Sequence, residues 1–373
     1  MRKICPAVFA FLFIVLLFSP VDAQKIKIKI IDGVQVVSNP KNPAPPKGTP
    51  TKMVLREELS IGEGEQEEEM FSQMTAITVD DEGNIYILDR EENIIKVFDS
   101  KGKLLKSFGK QGQGPGELNG PIGIRVTPNN ELMVEDVLSQ RLAFFSLDGK
   151  FLRHLSTAKA LGLALVRIDS KGNIMGQQIV PAEGKLTREV KKYDSELNPL
   201  FTVAVHDFPN VLAGKINPFD LVFFFELSKD DTIYYGNLKE YKIEIFSPEG
   251  KIIKRILKEY NPVKITEEDK EEMLIRIPPE AAAIKDRIDF PKNYPACQSF
   301  YLDDQGRLIV RTYEKGEKRG EFYHDVFDEE GRYIAKILLD VEPLVWKGGK
   351  LYGREETEDG YHILKIYNIL WEK

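Results

Sequence analysis

The chain has 373 residues, of which 42% are hydrophobic and 30% charged, and its formal net charge is −7. This length is enough to bury a substantial core, either in one large all-β domain or in two ordinary domains. The mild excess of acidic residues argues against binding to nucleic acid or to an anionic membrane surface.

The N-terminus has the pattern of a secretory signal peptide. Two basic residues precede an apolar run over residues 8–18, and Val21 and Ala23 suit cleavage before Gln24. The alternative is an uncleaved membrane anchor, but a spanning helix needs roughly 20 apolar residues. We therefore expect a signal peptide over residues 1–23 and a secreted or periplasmic protein with no stable membrane anchor after cleavage.

The next segment, residues 24–50, divides into a hairpin and a linker. Lysine and isoleucine alternate over residues 25–31, and an Asp-Gly pair then signals a turn before a second short strand. Residues 39–50 are rich in proline, which favours an extended, semi-rigid linker. We expect this linker to separate the hairpin from the main domain, residues 51–373.

The main domain is predicted to repeat a unit of four short strands. In residues 77–109, brief apolar stretches are interrupted by Asp-Glu-Gly-Asn, Asp-Arg-Glu-Glu-Asn and Asp-Ser-Lys-Gly, the pattern of a β-meander. Shifts of 47, 89, 148, 223 and 266 positions overlay this unit on five further copies. The third and fifth copies have a longer middle turn, and the sixth, which begins near Val345, is too short to hold a fourth strand.

An N-terminal segment can supply the strand that the sixth copy lacks. Residues 53–62 overlay the outer strand of the first copy, with Ile61 on the position of Phe108. Ring closure by this strand would remove the open edges that otherwise promote aggregation. The predicted fold is therefore an all-β, six-bladed β-propeller of four-stranded antiparallel blades, closed by an N-terminal strand.

Three motifs carry a resemblance to a known family. They are Asp-Glu-Gly-Asn-Ile-Tyr-Ile at 81–87, Ile-Lys-Val-Phe-Asp-Ser-Lys-Gly-Lys-Leu-Leu at 95–105, and Phe-Gly-Lys-Gln-Gly-Gln-Gly-Pro-Gly-Glu at 108–117. In these motifs the chain resembles the secreted six-bladed β-propeller proteins of the NHL-repeat type, over about residues 51–373. The resemblance implies the propeller fold and a broad role in binding proteins or other ligands, without naming a substrate.

A long insertion, at about residues 261–295, interrupts the repeat between blades four and five. Thr266-Glu-Glu-Asp269 is typical of a capping box that opens a helix through about Ile277, and a second short helix is expected over residues 280–288. The connections between blades and the middle turns of blades share one face of a propeller, which we call the linker face. The insertion is therefore expected to cover the linker face.

Several motifs that could carry chemistry are better explained by structure. The Gly-rich segment 109–116 leads into a strand rather than the helix that a phosphate loop needs. The acidic turns at Asp80 and Asp303 lack calcium-loop spacing, and the four histidines are scattered singly, as expected for strand-surface or satisfied core residues. No Gly-x-Ser-x-Gly elbow is present, and Cys297, the only cysteine left after cleavage, has no nucleophile context and no disulfide partner.

The repeat itself supplies one candidate binding site. The position at the end of the second strand is polar in all six copies, namely Asp89, Asp136, Gln178, Asn237, Thr312 and Glu355. Being equivalent by the repeat, these residues are expected to form a ring on the linker face that binds a ligand or ion. The competing interpretation is that residues entering a turn are generally polar.

Two functional hypotheses follow. The first is a secreted or periplasmic binding protein without catalysis or cofactor, whose linker face and insertion recognise a protein, peptide or glycan. The second is a hydrolase or lyase resembling the calcium-dependent lactonases, which share the fold and hold a metal in the central channel. Asp89, Asp136, Asn237 and Glu355 have the side-chain types that such a calcium site needs.

Overall fold

The computed structural model describes residues 25–63, 69–182, 185–207, 214–221, 223–237, 239–277, 279–357 and 360–373. The predicted signal peptide lies outside these residues. Within these ranges, no helix has the length and apolar character needed to cross a membrane.

Strands account for nearly all of the regular structure. Three strands precede the blades: β1 (Lys27–Ile31), β2 (Val34–Asn39) and β3 (Lys52–Ile61). Blade one consists of β4 (Met74–Val79), β5 (Ile85–Asp89), β6 (Ile94–Phe98) and β7 (Leu104–Phe108). Blade two consists of β8 (Pro121–Val126), β9 (Glu131–Asp136), β10 (Arg141–Ser146) and β11 (Phe151–Ser156). Blade three consists of β12 (Ala164–Ile168), β13 (Ile174–Ala182), β14 (Lys185–Tyr193) and β15 (Pro199–Asp207).

The second half of the ring follows the same plan. Blade four consists of β16 (Phe224–Leu227), β17 (Ile233–Gly236), β18 (Lys242–Phe246) and β19 (Ile252–Lys258). Blade five consists of β20 (Ser299–Leu302), β21 (Leu308–Lys315), β22 (Phe322–Phe327) and β23 (Tyr333–Leu339). Blade six consists of β24 (Glu342–Lys347), β25 (Lys350–Glu356), β26 (His362–Glu372) and the N-terminal β3.

The six sheets form a closed ring with the first strand of each blade innermost. β4 contacts β8, β8 contacts β12, β16 contacts β20, and β24 contacts both β20 and β4. Buried aliphatic and aromatic side chains fill the spaces between blades, as between blades one and two, where Leu88 and Ile95 pack against Leu132 and Val134. The predicted six-bladed propeller is confirmed.

Local turn chemistry explains why the repeat is so regular. The Asp80 side chain accepts hydrogen bonds from the backbone amides of Glu82 (3.0 Å) and Asn84 (2.8 Å), as an Asx turn does. Gly102 closes the last turn of blade one at a φ of 81°, where a Cβ would lie 2.9 Å from the Leu59 side chain on β3. The acidic turns therefore set strand direction, as the turn interpretation predicted.

Ring closure by the N-terminal strand is also confirmed. β3 pairs antiparallel with β26 from Ile61 opposite Leu364 to Lys52 opposite Glu372. Ile61 is 3% exposed and packs in the core between blades six and one. The first and last strands of the main domain therefore share one sheet.

The N-terminal hairpin is joined to the propeller, in contrast to the separate unit that the proline-rich linker suggested. β2 pairs in parallel with β19, so blade four becomes a six-stranded sheet in the order β1-β2-β19-β18-β17-β16. Asn39 is buried, donates to the carbonyls of Leu257 and Gly331, and accepts from the Tyr333 amide. A linker's composition indicates its stiffness but not where its ends dock, which is why this contact was missed.

The predicted insertion is helical and packs on blade five. Helix α1 (Glu267–Ile275) begins with the expected capping box between Thr266 and Asp269, and a 3-10 helix spans Pro279–Arg287. The Tyr294 ring stacks on Tyr313 of β21 at 4.1 Å, and Lys315 pairs with Asp269 at 2.5 Å. The insertion therefore packs against β21, the extended second strand of blade five.

Candidate functional site

The two aspartates of the predicted ring hold the connections between blades. Asp89 is fully buried and accepts from the amides of Ser72 (2.8 Å) and Gln73 (3.1 Å), which lead into blade one. The equivalent Asp136 accepts from the Asn119 amide at 2.7 Å and pairs with Arg141 at 2.8 Å. Both oxygens of Asp89 thus accept from backbone amides, whereas Asp136 accepts from one backbone amide and from the Arg141 guanidinium.

The other ring positions also have neighbours within the chain. Thr312 donates to the Tyr323 carbonyl at 2.8 Å, Glu355 accepts from the Tyr367 hydroxyl at 3.2 Å, and Asn237 accepts from the Lys239 amide at 3.3 Å. Gln178 is 8% exposed. Asp89 and Asp136 end their second strands and Asn237 follows β17, whereas Gln178, Thr312 and Glu355 lie within the longer strands β13, β21 and β25. A shared role of these six residues in binding stays a prediction.

The most unusual side chain lies one residue before the ring position of blade two. Glu135 is 4% exposed and reaches across to blade three, where its Oε1 accepts from the Val166 amide at 2.9 Å. Its Oε2 has no hydrogen-bond partner among the described residues. A buried carboxylate oxygen without a partner costs free energy, so Glu135 is a candidate for function.

A cluster of charges on the innermost strands adjoins Glu135. Arg167 of β12 makes a bidentate pair with Glu226 of β16, with 2.8 Å between Nη2 and Oε2. Arg125 of β8 lies 3.8 Å from the same carboxylate. Burial alone would raise the pKa of Glu226, but the charges of Arg167 and Arg125 hold it below its ordinary value. These arginines link blades two, three and four around the propeller axis.

A cleft opens between blades two and three beside Glu135. Its cavity volume is about 240 Å³. Its lining includes Glu135, Arg141, Leu142, Thr157, Leu161 and Leu163. Arg141 is fixed by its pair with Asp136 and by donation to the carbonyls of Gln113 and Glu117, so it forms a rigid wall. We call this cavity the blade two–three cleft.

The rim of this cleft exposes apolar side chains. Leu161, in the connection into blade three, lines the cleft and is 56% exposed. Leu138, in the middle turn of blade two, and Leu165, on β12, each follow a lining residue in the chain and are 68% and 40% exposed. Leu165 also adopts a φ of 56°, a left-handed conformation that is strained for a leucine. Strain of this kind concentrates at functional sites. The rim therefore combines exposed apolar surface with a strained backbone.

The ionisation of Glu135 leads to a testable effect on stability. Burial raises the pKa of its carboxyl, and the nearby charges of Arg167 and Arg125 offset only part of that effect. The folded protein thus keeps the proton to higher pH than the unfolded chain, and ionisation costs stability as the pH rises through the folded value. We expect Glu135→Gln to leave the melting temperature unchanged near pH 4 and to raise it by about 2 °C at pH 8.

Thermal melts of the two proteins across this pH range check the prediction, with Glu91→Gln at an exposed turn as the matched control. An equal shift at both pH values would mean that the charge of Glu135 is not the cause.

A second buried polar cluster lies between blades four and five. Lys258 pairs with Asp325 at 3.2 Å, and both side chains are at most 4% exposed. Asp325 also accepts from the hydroxyls of Tyr241 (2.6 Å) and Tyr333 (2.5 Å). Cys297 is in the same core, where burial raises the pKa of its thiol. Because every charge here is paired, we assign this cluster to stability.

The histidines remain scattered, but one departs from the expected satisfied state. His324 is 1% exposed, its Nδ1 contacts the Phe322 carbonyl at 3.0 Å, and its Nε2 has no partner among the described residues. Burial lowers the pKa of His324 to about 3, so its imidazole is neutral at physiological pH.

In the part of the chain that the structure describes, no three His, Cys, Asp or Glu side chains converge to hold a metal ion. Calcium binding at the predicted ring, which also contains amide and hydroxyl side chains, stays a prediction.

Comparison with known proteins supports the fold. The sequence pattern of the DUF5128 family, described as a 6-bladed beta-propeller, matches residues 65–169. This chain is a six-bladed β-propeller. No curated protein matches its sequence. The match does not assign the NHL-repeat type, which stays a prediction.

Solved structures give the same answer. A Bacteroides fragilis protein described as exported is 11% identical, with a TM-score of 0.56 over 91% of this chain and 100% of its own. A DUF4221 member from Bacteroides vulgatus is also 11% identical, with a TM-score of 0.54 over 87% and 100%. Virginiamycin B lyase from Staphylococcus aureus is 11% identical and covers 84% of this chain and 99% of its own. Its TM-score is 0.45, which is too low to support a conclusion about function. These likenesses show the fold alone, and function has to be argued from the site.

Proposed function

We propose that this protein is an exported binding protein that captures a protein or peptide ligand on its linker face, at the blade two–three cleft. The observation that carries the proposal is the cleft itself, a cavity of about 240 Å³ that is lined by the exposed Leu161 and adjoined in the chain by the exposed Leu138 and Leu165. Concave sites with an apolar lining and a few polar groups are typical binding sites, and clustered exposed apolar residues mark interaction surfaces.

The chemistry of the cleft favours a peptide or protein over a glycan. Leu138, Leu161 and Leu165 offer apolar contact, which suits an aliphatic or aromatic side chain of the ligand. Glu135, with one oxygen unpartnered, can receive a hydrogen bond from a donor that enters the cleft. Export is supported by the signal-peptide pattern of residues 1–23 and by the likeness to a protein described as exported.

A displayed peptide library tests this proposal. We expect the wild-type protein to enrich peptides with an apolar anchor residue, and Leu138→Glu with Leu161→Glu to weaken their binding more than about tenfold. The matched control is Leu105→Glu with Leu152→Glu, since these leucines are 50% and 41% exposed on outer strands. Equal losses in both double variants, or no enrichment at all, would contradict the proposed site.

Metal analysis addresses the calcium-dependent hydrolase hypothesis directly. If the protein is the proposed binding protein, we expect it to retain no calcium after dialysis, and its melting temperature to be unchanged by added calcium. The contrary outcome is one bound calcium ion per chain that is lost in Asp89→Ala together with turnover of lactones. That result would replace the binding proposal with an enzymatic one.

A further inference from the structure

The strand β1 is an open edge of the sheet of blade four. Among the residues that the structure describes, it pairs with β2 alone and ends the strand order of this six-stranded sheet. All five of its residues are exposed, and Ile28, Ile30 and Ile31 have exposed fractions of 48%, 69% and 46%. Its outer backbone amides and carbonyls can therefore receive another strand.

The charge of β1 is opposite to that of the protein. Lys27 and Lys29 alternate with isoleucines on an otherwise acidic chain of net charge −7. In the pairing with β2 they lie opposite Ser38 and Val36, and neither forms an ion pair with any residue that the structure describes. The two lysines share one face of the strand, and Ile28 and Ile30 share the other.

Lysines on an edge strand can serve simply to prevent unwanted pairing. That role explains Lys27 and Lys29 but not the three exposed isoleucines, since apolar side chains on an open edge promote association. The neighbouring β2 shows that this side of blade four accepts added strands, because β2 itself extends β19 in parallel.

We propose that β1 is the docking edge for an extended segment of a partner protein in which acidic and apolar residues alternate. Such a segment would add a seventh strand to blade four, with backbone hydrogen bonds for affinity and side-chain contacts for specificity. Its acidic residues would lie opposite Lys27 and Lys29, and its apolar residues opposite Ile28 and Ile30. This edge is on the outside of blade four, away from the blade two–three cleft, so it does not depend on that site.

Charge complementarity favours such a partner over a second copy of this chain. In the antiparallel self-pairing that matches all five residues of β1, Ile28 lies opposite Ile30, but Lys29 lies opposite the Lys29 of the second copy. Like charges directly opposite each other destabilise a strand pair. An acidic segment has no such conflict.

Fluorescence anisotropy with short labelled peptides tests the proposal on the purified protein. The probes are a peptide of alternating glutamate and valine, its lysine–valine counterpart, and the acidic peptide with a central proline. We expect the wild-type protein to bind the acidic peptide at least about tenfold more tightly than the other two. In Lys27→Glu with Lys29→Glu, the preference should reverse towards the lysine peptide.

The matched control is Lys101→Glu with Lys103→Glu, an equal charge change on blade one at the opposite side of the ring, and it should retain the wild-type preference. Equal binding of the proline peptide would overturn strand addition, because proline removes a backbone donor. Equal losses in both double variants would mean that only net charge matters. Dimerisation of the free protein through β1 would assign the edge to a second copy and also overturn the proposal.

Discussion

Removal of residues 25–61 is expected to open the ring and to destabilise the protein by at least about 5 kcal/mol. The deletion takes away β3, whose Ile61 is 3% exposed and whose Met53, Leu55 and Leu59 pack against neighbouring blades. It also leaves β26, the longest strand of blade six, with an unpaired edge. Thermal and denaturant melts should show a much lower midpoint or aggregation.

Two companion measurements isolate the role of β3 in this result. A chain that begins at residue 51 loses β1 and β2 but keeps β3, and its melting temperature should stay well above that of the chain that begins at residue 62. A synthetic peptide of residues 51–62, added to the chain that begins at residue 62, should raise its melting temperature by supplying the missing strand. Closure by β3 would be refuted if the shortest chain were as stable as the others.

Breaking the buried pair between blades four and five is the second change with a large expected effect. Asp325→Asn leaves Lys258 charged and buried without a counter-ion, and a broken buried pair costs about 3–5 kcal/mol. The substitution also replaces the charged carboxylate that accepts hydrogen bonds from the Tyr241 and Tyr333 hydroxyls with a neutral amide. We therefore expect a large fall in the denaturant midpoint without a change in fold.

A double-mutant cycle checks this explanation. Lys258→Met combined with Asp325→Asn should recover a substantial part of the stability that either single change loses, because no unpaired charge remains. The exposed pair Lys52–Glu372, with side chains 68% and 48% exposed, is the comparison, and its removal should cost less than about 1 kcal/mol. Strictly additive losses at Lys258 and Asp325 would argue against a coupled pair.

The architecture could be predicted because each blade is specified locally. Turns such as the one at Asp80 are set by side chains within a few residues, and strand faces follow from alternation. Copies of one unit can then be counted, and a missing strand can be located elsewhere in the chain. The capping box at Thr266 was predictable for the same reason, since all of its contacts are local.

The functional site was less predictable because its contacts run between blades. The repeat directed attention to Asp89 and its equivalents, and their conserved geometry in blades one and two turned out to anchor connections. Glu135, one position earlier in blade two, has no equivalent carboxylate in blade one, where Leu88 stands. This difference between the two blades has a clear meaning only in the folded protein, where the Val166 amide of blade three faces Glu135.

The sequence by itself determined the six blades, the closing strand β3 and the helical insertion, because these depend on short-range turn chemistry, strand alternation and copy number. Only the tertiary structure decided that β2 extends blade four, that Lys258 and Asp325 meet, and that a cleft opens beside Glu135. The physical reason is that these features come from segments far apart in the chain, whose packing depends on shape and burial rather than on any local pattern.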